Sequence, residues 1–154
     1  MKRILGIVVL GLLLSGNAFS ASKTGKGKLI LTEDTANTFI KYIKGKGRKT
    51  PEFFYVTLDG TYSMYWFCAS GNCAMRSNPA SICEINAGQE CKLFAHRRTI
   101  KWKNDINPGK GKASRIKSKW SEAEIRAKLT ELGFLGGSTS SSKTNKRLKK
   151  CSLL

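Results

Sequence analysis

Apolar positions 36, 39, 40 and 43 fall on one stripe at helical spacing, formed by Ala36, Phe39, Ile40 and Ile43. Thr32 supplies a capping hydroxyl ahead of Glu33 and Asp34, acids that suit the positive end of a helix. Gly45 and Gly47, set among lysines, end this helix in a basic loop that Pro51 closes. The pattern then changes to alternation. Residues 52–58 and 61–68 are β-rich runs separated by Asp59-Gly60, a strong hairpin signal. Phe54, Val56 and Leu58 alternate with Phe53, Tyr55 and Thr57, so both faces of the first strand are expected to be at least partly covered.

Ser70-Gly71-Asn72 reads as a turn, and Asn78-Pro79 as the start of a short helix that Gly88 stops. Residues 92–95 and 99–102 predict a second strand pair around a turn at 95–98. A turn-rich basic linker follows at 107–112. Ser121 and Glu124 then form a capping box, with Trp120 and Ile125 placed as a hydrophobic staple. Ile125, Leu129 and Leu132 give that helix its stripe, Gly133 its stop, and Phe134 and Leu135 a means of folding back. The expected fold is therefore α+β: a small antiparallel sheet of two hairpin-like strand pairs, a short disulfide-linked helix, and flanking N- and C-terminal helices.

The first residues change the reading of the rest. Lys2 and Arg3 precede an apolar run at 4–14, and Ala18-Phe19-Ser20 has the small-x-small form of an export cleavage site. The run is too short to span a bilayer, which needs about 20 residues. The predicted organisation is a signal peptide (1–20), a basic helical flank (21–51), a disulfide-stabilised core (52–102), a basic linker and helix (103–135), and a disordered basic tail (136–154). Of the 154 residues, 28 are basic and 10 acidic, a net charge of +18; loss of Lys2 and Arg3 with the signal lowers it to +16. Segment 52–102 is almost neutral, so the flanks carry the charge.

An exported chain meets an oxidising compartment, where closely spaced cysteines form disulfides. Cys68, Cys73, Cys83 and Cys91 lie within 24 residues. Pairing Cys68 with Cys73 and Cys83 with Cys91 is favoured, with the crossed pairings open. No C-x-x-C spacing or histidine pair points to zinc, and no metal or cofactor is expected.

The run Cys83-x4-Gly88-x2-Cys91-x-Leu93-Phe94-Ala95, with Trp102 seven residues on, resembles small exported proteobacterial proteins with no defined activity. In that group an aromatic strand precedes a cysteine-containing helix. The likeness covers residues 53–102 and implies a fold and disulfide placement; it implies no catalytic residue.

Enzyme chemistry is poorly served. The single histidine, His96, falls in a predicted turn beside Arg97 and Arg98, the acids are scattered, and no strand-to-helix phosphate loop is present. Anion binding is better motivated. Lys41, Lys44, Lys46, Arg48 and Lys49 form one basic segment, and Lys110, Lys112, Arg115, Lys117 and Lys119 another. Lys101-Trp102-Lys103 sets an indole between two cations, suited to stacking on a base, although a core position for Trp102 is the plainer expectation. Cys151-Ser152-Leu153-Leu154 behind a polybasic stretch also matches a prenylation box, at odds with export. The resulting expectation is a non-enzymatic periplasmic or secreted domain that binds an anionic polymer, a lipid headgroup or an envelope protein. The alternatives are an accessory subunit docking through the aromatic face or the Trp120 helix, and a secreted nucleic-acid or membrane-surface binder.

Overall fold

Thr32 opens the first helix, α1 (Glu33–Lys44), by accepting the Thr35 backbone N–H on its side chain, and Gly45 closes it with φ 77°. The structure is a computed structural model and describes residues 23–45, 49–68 and 78–136. The expected signal peptide, the tail beyond Gly136, the turn at Ser70-Gly71-Asn72, Lys46, Arg48, Cys73 and Cys151 lie outside the described residues. After α1 the chain forms β1 (Thr50–Thr57) and β2 (Ser63–Cys68), then α2 (Pro79–Ala87), β3 (Cys91–His96), β4 (Thr99–Ile100) and α3 (Glu122–Glu131). The strands make one antiparallel sheet in the order β2-β1-β3-β4. The fold is α+β, as the hydrophobic pattern predicts.

The β1–β2 turn is built on Asp59. Its carboxylate accepts from the Thr57 and Thr61 hydroxyls and from the Thr61 backbone N–H. These bonds, the Thr57 one first, hold its pKa well below the ordinary carboxylate range. Gly60 sits at φ 75°, where an added Cβ would come within 2.1 Å of the Ile30 carbonyl oxygen. The strand register starts at Val56↔Ser63, so the loop is longer than the two-residue turn implied by Asp59-Gly60.

Alternation along β1 sends side chains into two separate cores. Phe54 and Val56 join the main core with the α1 stripe, Phe94, Trp102 and Phe134. Phe39 meets Phe54 and Phe94 edge-on at 5.1 and 5.2 Å, and Phe94 meets Phe134 at 5.0 Å. On the opposite face Tyr55 packs with the Cys83–Cys91 disulfide of α2 and β3, flanked by Phe53, Met64, Trp66 and Leu93. Leu58, expected on the covered face, is exposed because the strand ends at Thr57.

The boundary drawn at 52–102 does not bound the core. Leu29 and Leu31 from one flank, and Ile116, Ile125, Leu129, Leu132 and Phe134 from the other, are buried in the main core. A sheet of four short strands needs these side chains to dry its face. The turn-rich segment after Trp102 is equally well packed. Asn107 is fully buried, donates to the Trp102 carbonyl and accepts from Ser114, whose hydroxyl is also within reach of the Lys110 carbonyl. It is a structural clasp rather than a loose linker.

Candidate functional site: a basic double cleft

The clasp matters because it carries the next segment back to the sheet. The Ile100 N–H donates to the Ser114 carbonyl and the Ile116 N–H to the Arg98 carbonyl, so Thr99 faces Arg115 across an isolated antiparallel bridge. Cations from the β3–β4 turn and from the C-terminal flank, distant in sequence, are thereby set side by side. A cleft of about 750 Å³ opens there. Six of its nine lining residues are basic: Arg98, Lys112, Arg115, Lys117, Lys119 and Lys128. A second cleft of about 350 Å³ is lined by His96, Arg97, Arg98, Thr99, Lys101 and Arg115. Arg98 and Arg115 belong to both, which joins the two into one basic surface. Among the described residues no carboxylate lines either cleft.

Acidic groups stand just outside. Glu52 is the extra residue where β1 slips against β2, between the pairs Pro51↔Phe67 and Phe53↔Trp66. Such a bulge re-aims a side chain. The Glu52 carboxylate lies 3.1 Å from His96 Nε2 and 3.4 Å from Arg97 Nε. His96 therefore sits at the end of β3, beside a carboxylate and stacked on Phe53, and not free in a turn. Arg97 takes φ 51°, the left-handed conformation that a non-glycine residue adopts at a cost of about 1–2 kcal/mol. Its carbonyl accepts the Tyr42 hydroxyl at 2.7 Å. Burial raises the Tyr42 pKa far above the usual phenol range, Glu52 adds to the rise and Arg98 opposes it, so the phenol stays a neutral donor. This bond ties the strained turn to α1. Lys128 is partly neutralised by Glu131 at 2.6 Å.

Trp120 stands at the wall of the larger cleft, half-buried, with part of its ring against the main core. The Lys117 ammonium lies 5.6 Å from the indole centroid, a cation–π contact worth about 0.5–1 kcal/mol when exposed. Lys44 donates to the Trp120 carbonyl, fixing the entry to α3 together with the capping box of Ser121 and Glu124. Those Ser121 bonds, the backbone one first, lower the Glu124 pKa.

The residues expected to bind anions are thus divided by the structure. Lys112, Arg115, Lys117 and Lys119 share the larger cleft, and Lys101 lines the smaller. Lys41, Lys44, Lys49, Lys103 and Lys110 are exposed and line neither. Trp102 is a correction. It is 1 % exposed, and its Nε1 donates to the Gly27 carbonyl at 2.9 Å, so its ring offers no face to a ligand. The core position is the plainer of the two expectations, although Trp102 lies just past β4 rather than in a strand. Arg97, Arg98 and Lys128 are not among the anion-binding candidates of the sequence, and Trp120 is named there only for docking on a partner. Arg97-Arg98 is a visible basic pair, but only the Thr99–Arg115 pairing shows what it faces.

Cys83 and Cys91 are bonded, which removes the crossed pairings of the four clustered cysteines, and Cys68 is also disulfide-bonded. Its expected mate, Cys73, lies outside the described residues. Among the described residues no group of three or more His, Cys, Asp or Glu side chains is arranged to hold a metal, and no helix is long and apolar enough to cross a membrane. Comparison of the chain with protein-family models, curated proteins and solved structures finds no match.

Proposed function

We propose that the protein is a non-enzymatic, exported domain that captures an anionic ligand in the periplasm or outside the cell. The observation that carries this reading is the double cleft, which eight lysine and arginine side chains line with no lining carboxylate among the described residues. Gathering like charges in a concavity opposes folding by self-repulsion, and an anion relieves that repulsion on binding. Concave walls also focus the field and raise the local anion concentration. The export signal expected at 1–20 and the disulfide-bonded Cys68, Cys83 and Cys91 support the compartment. An apolar docking role is supported less, since α1 and α2 each cover part of one face of the sheet and leave Tyr65, Trp66 and Phe67 half-buried.

The test is titration of the full chain with inorganic polyphosphate at increasing sodium chloride. Affinity is expected to fall steeply, by powers of ten between about 50 and 200 mM salt, as neutralised charges release counterions. In the variant Arg98→Gln/Arg115→Gln the logarithmic salt slope should flatten, because both clefts lose their shared cations. Absence of binding at low salt, or affinity indifferent to salt, would sink the reading.

A further inference from the structure

We infer that the anion is a single-stranded nucleic acid whose phosphates follow the joined clefts and one of whose bases stacks on Trp120; this rests on the anion-binding reading above. Three features of the clefts select this ligand class.

The first is how the charge is distributed. A compact anion such as inorganic phosphate calls for donors converging on one desolvated point. Here Lys112, Arg115, Lys117 and Lys119 are solvent-exposed, and the cations run through two clefts that meet at Arg98 and Arg115. An extended track matches a chain with one charge per repeat.

The second is the aromatic wall. Trp120 lines the larger cleft, with Lys117 over its ring in the free protein. A stacked base contributes up to several times what an exposed cation–π contact does, so a base displaces the Lys117 ammonium from the indole. The displaced cation is then available to a neighbouring phosphate. A basic groove beside a stacking platform is the general means by which single strands are held without sequence preference.

The third separates single strands from other polyanions. A duplex buries the faces of its bases, so it cannot use Trp120. A lipid surface is flat and rewards apolar groups that insert. The aliphatic residue lining the larger cleft, Ile116, is fully buried, and apart from Ser118 and the half-buried Trp120 the lining is cationic.

The experiment is fluorescence anisotropy on the full chain with three labelled probes: an oligothymidylate of about 12 nucleotides, an abasic oligomer with the same phosphates, and a duplex of equal length. The oligothymidylate should bind about 5- to 150-fold more tightly than the abasic oligomer. Trp120→Leu should erase that preference, and Trp120→Phe should keep most of it. Because Trp120 also touches the core, a second reading is taken on the unaltered protein: tryptophan fluorescence should be quenched by the oligothymidylate and not by the abasic oligomer. Equal affinity for the two oligomers, a duplex bound as well as the single strand, or absent quenching would overturn the inference yet leave anion capture standing. Failure to bind polyphosphate as well would overturn both.

Discussion

Gly25 shows how much one residue decides. Its backbone lies against the Trp102 indole so closely that an added Cβ would fall 1.9 Å from the Trp102 ring. Its N–H donates to the Leu93 carbonyl, and its carbonyl accepts from Lys103. The absent side chain is what lets the N-terminal segment seal the largest buried residue of the core. Gly25→Ala is therefore expected to destabilise the protein by about 2–3 kcal/mol through overpacking, measured as a shift in the urea midpoint with unchanged slope. A fall below about 0.5 kcal/mol would mean that the segment can move aside and that Trp102 does not depend on it. In the sequence, Gly25 is indistinguishable from the other glycines of a Lys-Gly-rich stretch. Its partner is 77 positions away.

Among the elements, α2 depends most on a covalent tie. Asn78 caps it, accepting the Ala80 N–H, and Gly88 ends it in the left-handed conformation. Yet Cys83 is the residue of this helix that is fully buried, while Ile85 is 82 % exposed. The helix thus has little apolar stripe of its own, unlike α1, whose Ala36, Phe39, Ile40, Tyr42 and Ile43 are all buried. The Cys83–Cys91 bridge closes a short loop with a sequence separation of 8, for which chain entropy gives about 2.5 kcal/mol. Cys83→Ser/Cys91→Ser should lose roughly that amount, with amide exchange rising first in α2 and along the β3 edge of the smaller core. Uniform exchange across the whole protein would instead show that α2 is held by packing. The capping signals for α1, α2 and α3 were legible because they are local: an N-cap side chain and the backbone N–H it accepts from lie within four residues.

For the molecule as a whole, stability and site formation share one cause. The main core draws on Leu29 and Leu31 before the sheet, and on Ile116, Ile125, Leu129 and Phe134 after it. The same packing carries Arg115 to Arg98. A fragment of residues 52–102 keeps the Cys83–Cys91 disulfide and most of the aromatics but loses both flanks. It should show no cooperative thermal transition, whereas residues 23–136 should unfold in one step with a sharp calorimetric peak. A cooperative transition in the shorter fragment would mean that the flanks decorate an independent core. The expected loss follows from size, since about 50 residues bury too small a fraction of their surface to fold without help beyond that disulfide.

Helix stripes, caps, the strand alternation and the cysteine spacing all act over a few residues, and each of them can be read from the chain. Together they determined the α+β class, the antiparallel strand pairs, the core position of Phe39, Phe54 and Ile125, and the Cys83–Cys91 pairing as the favoured one. Charge composition alone pointed to an anionic partner and spread it over every basic segment. The tertiary structure alone decided which of those cations meet. Burial is a property of the assembled core, so it withdrew Trp102 and left Trp120 half-buried at the cleft wall. Long-range pairing of Thr99 with Arg115 then merged two basic segments into one cleft, because a backbone bridge fixes the distance between charges that sequence separation leaves free.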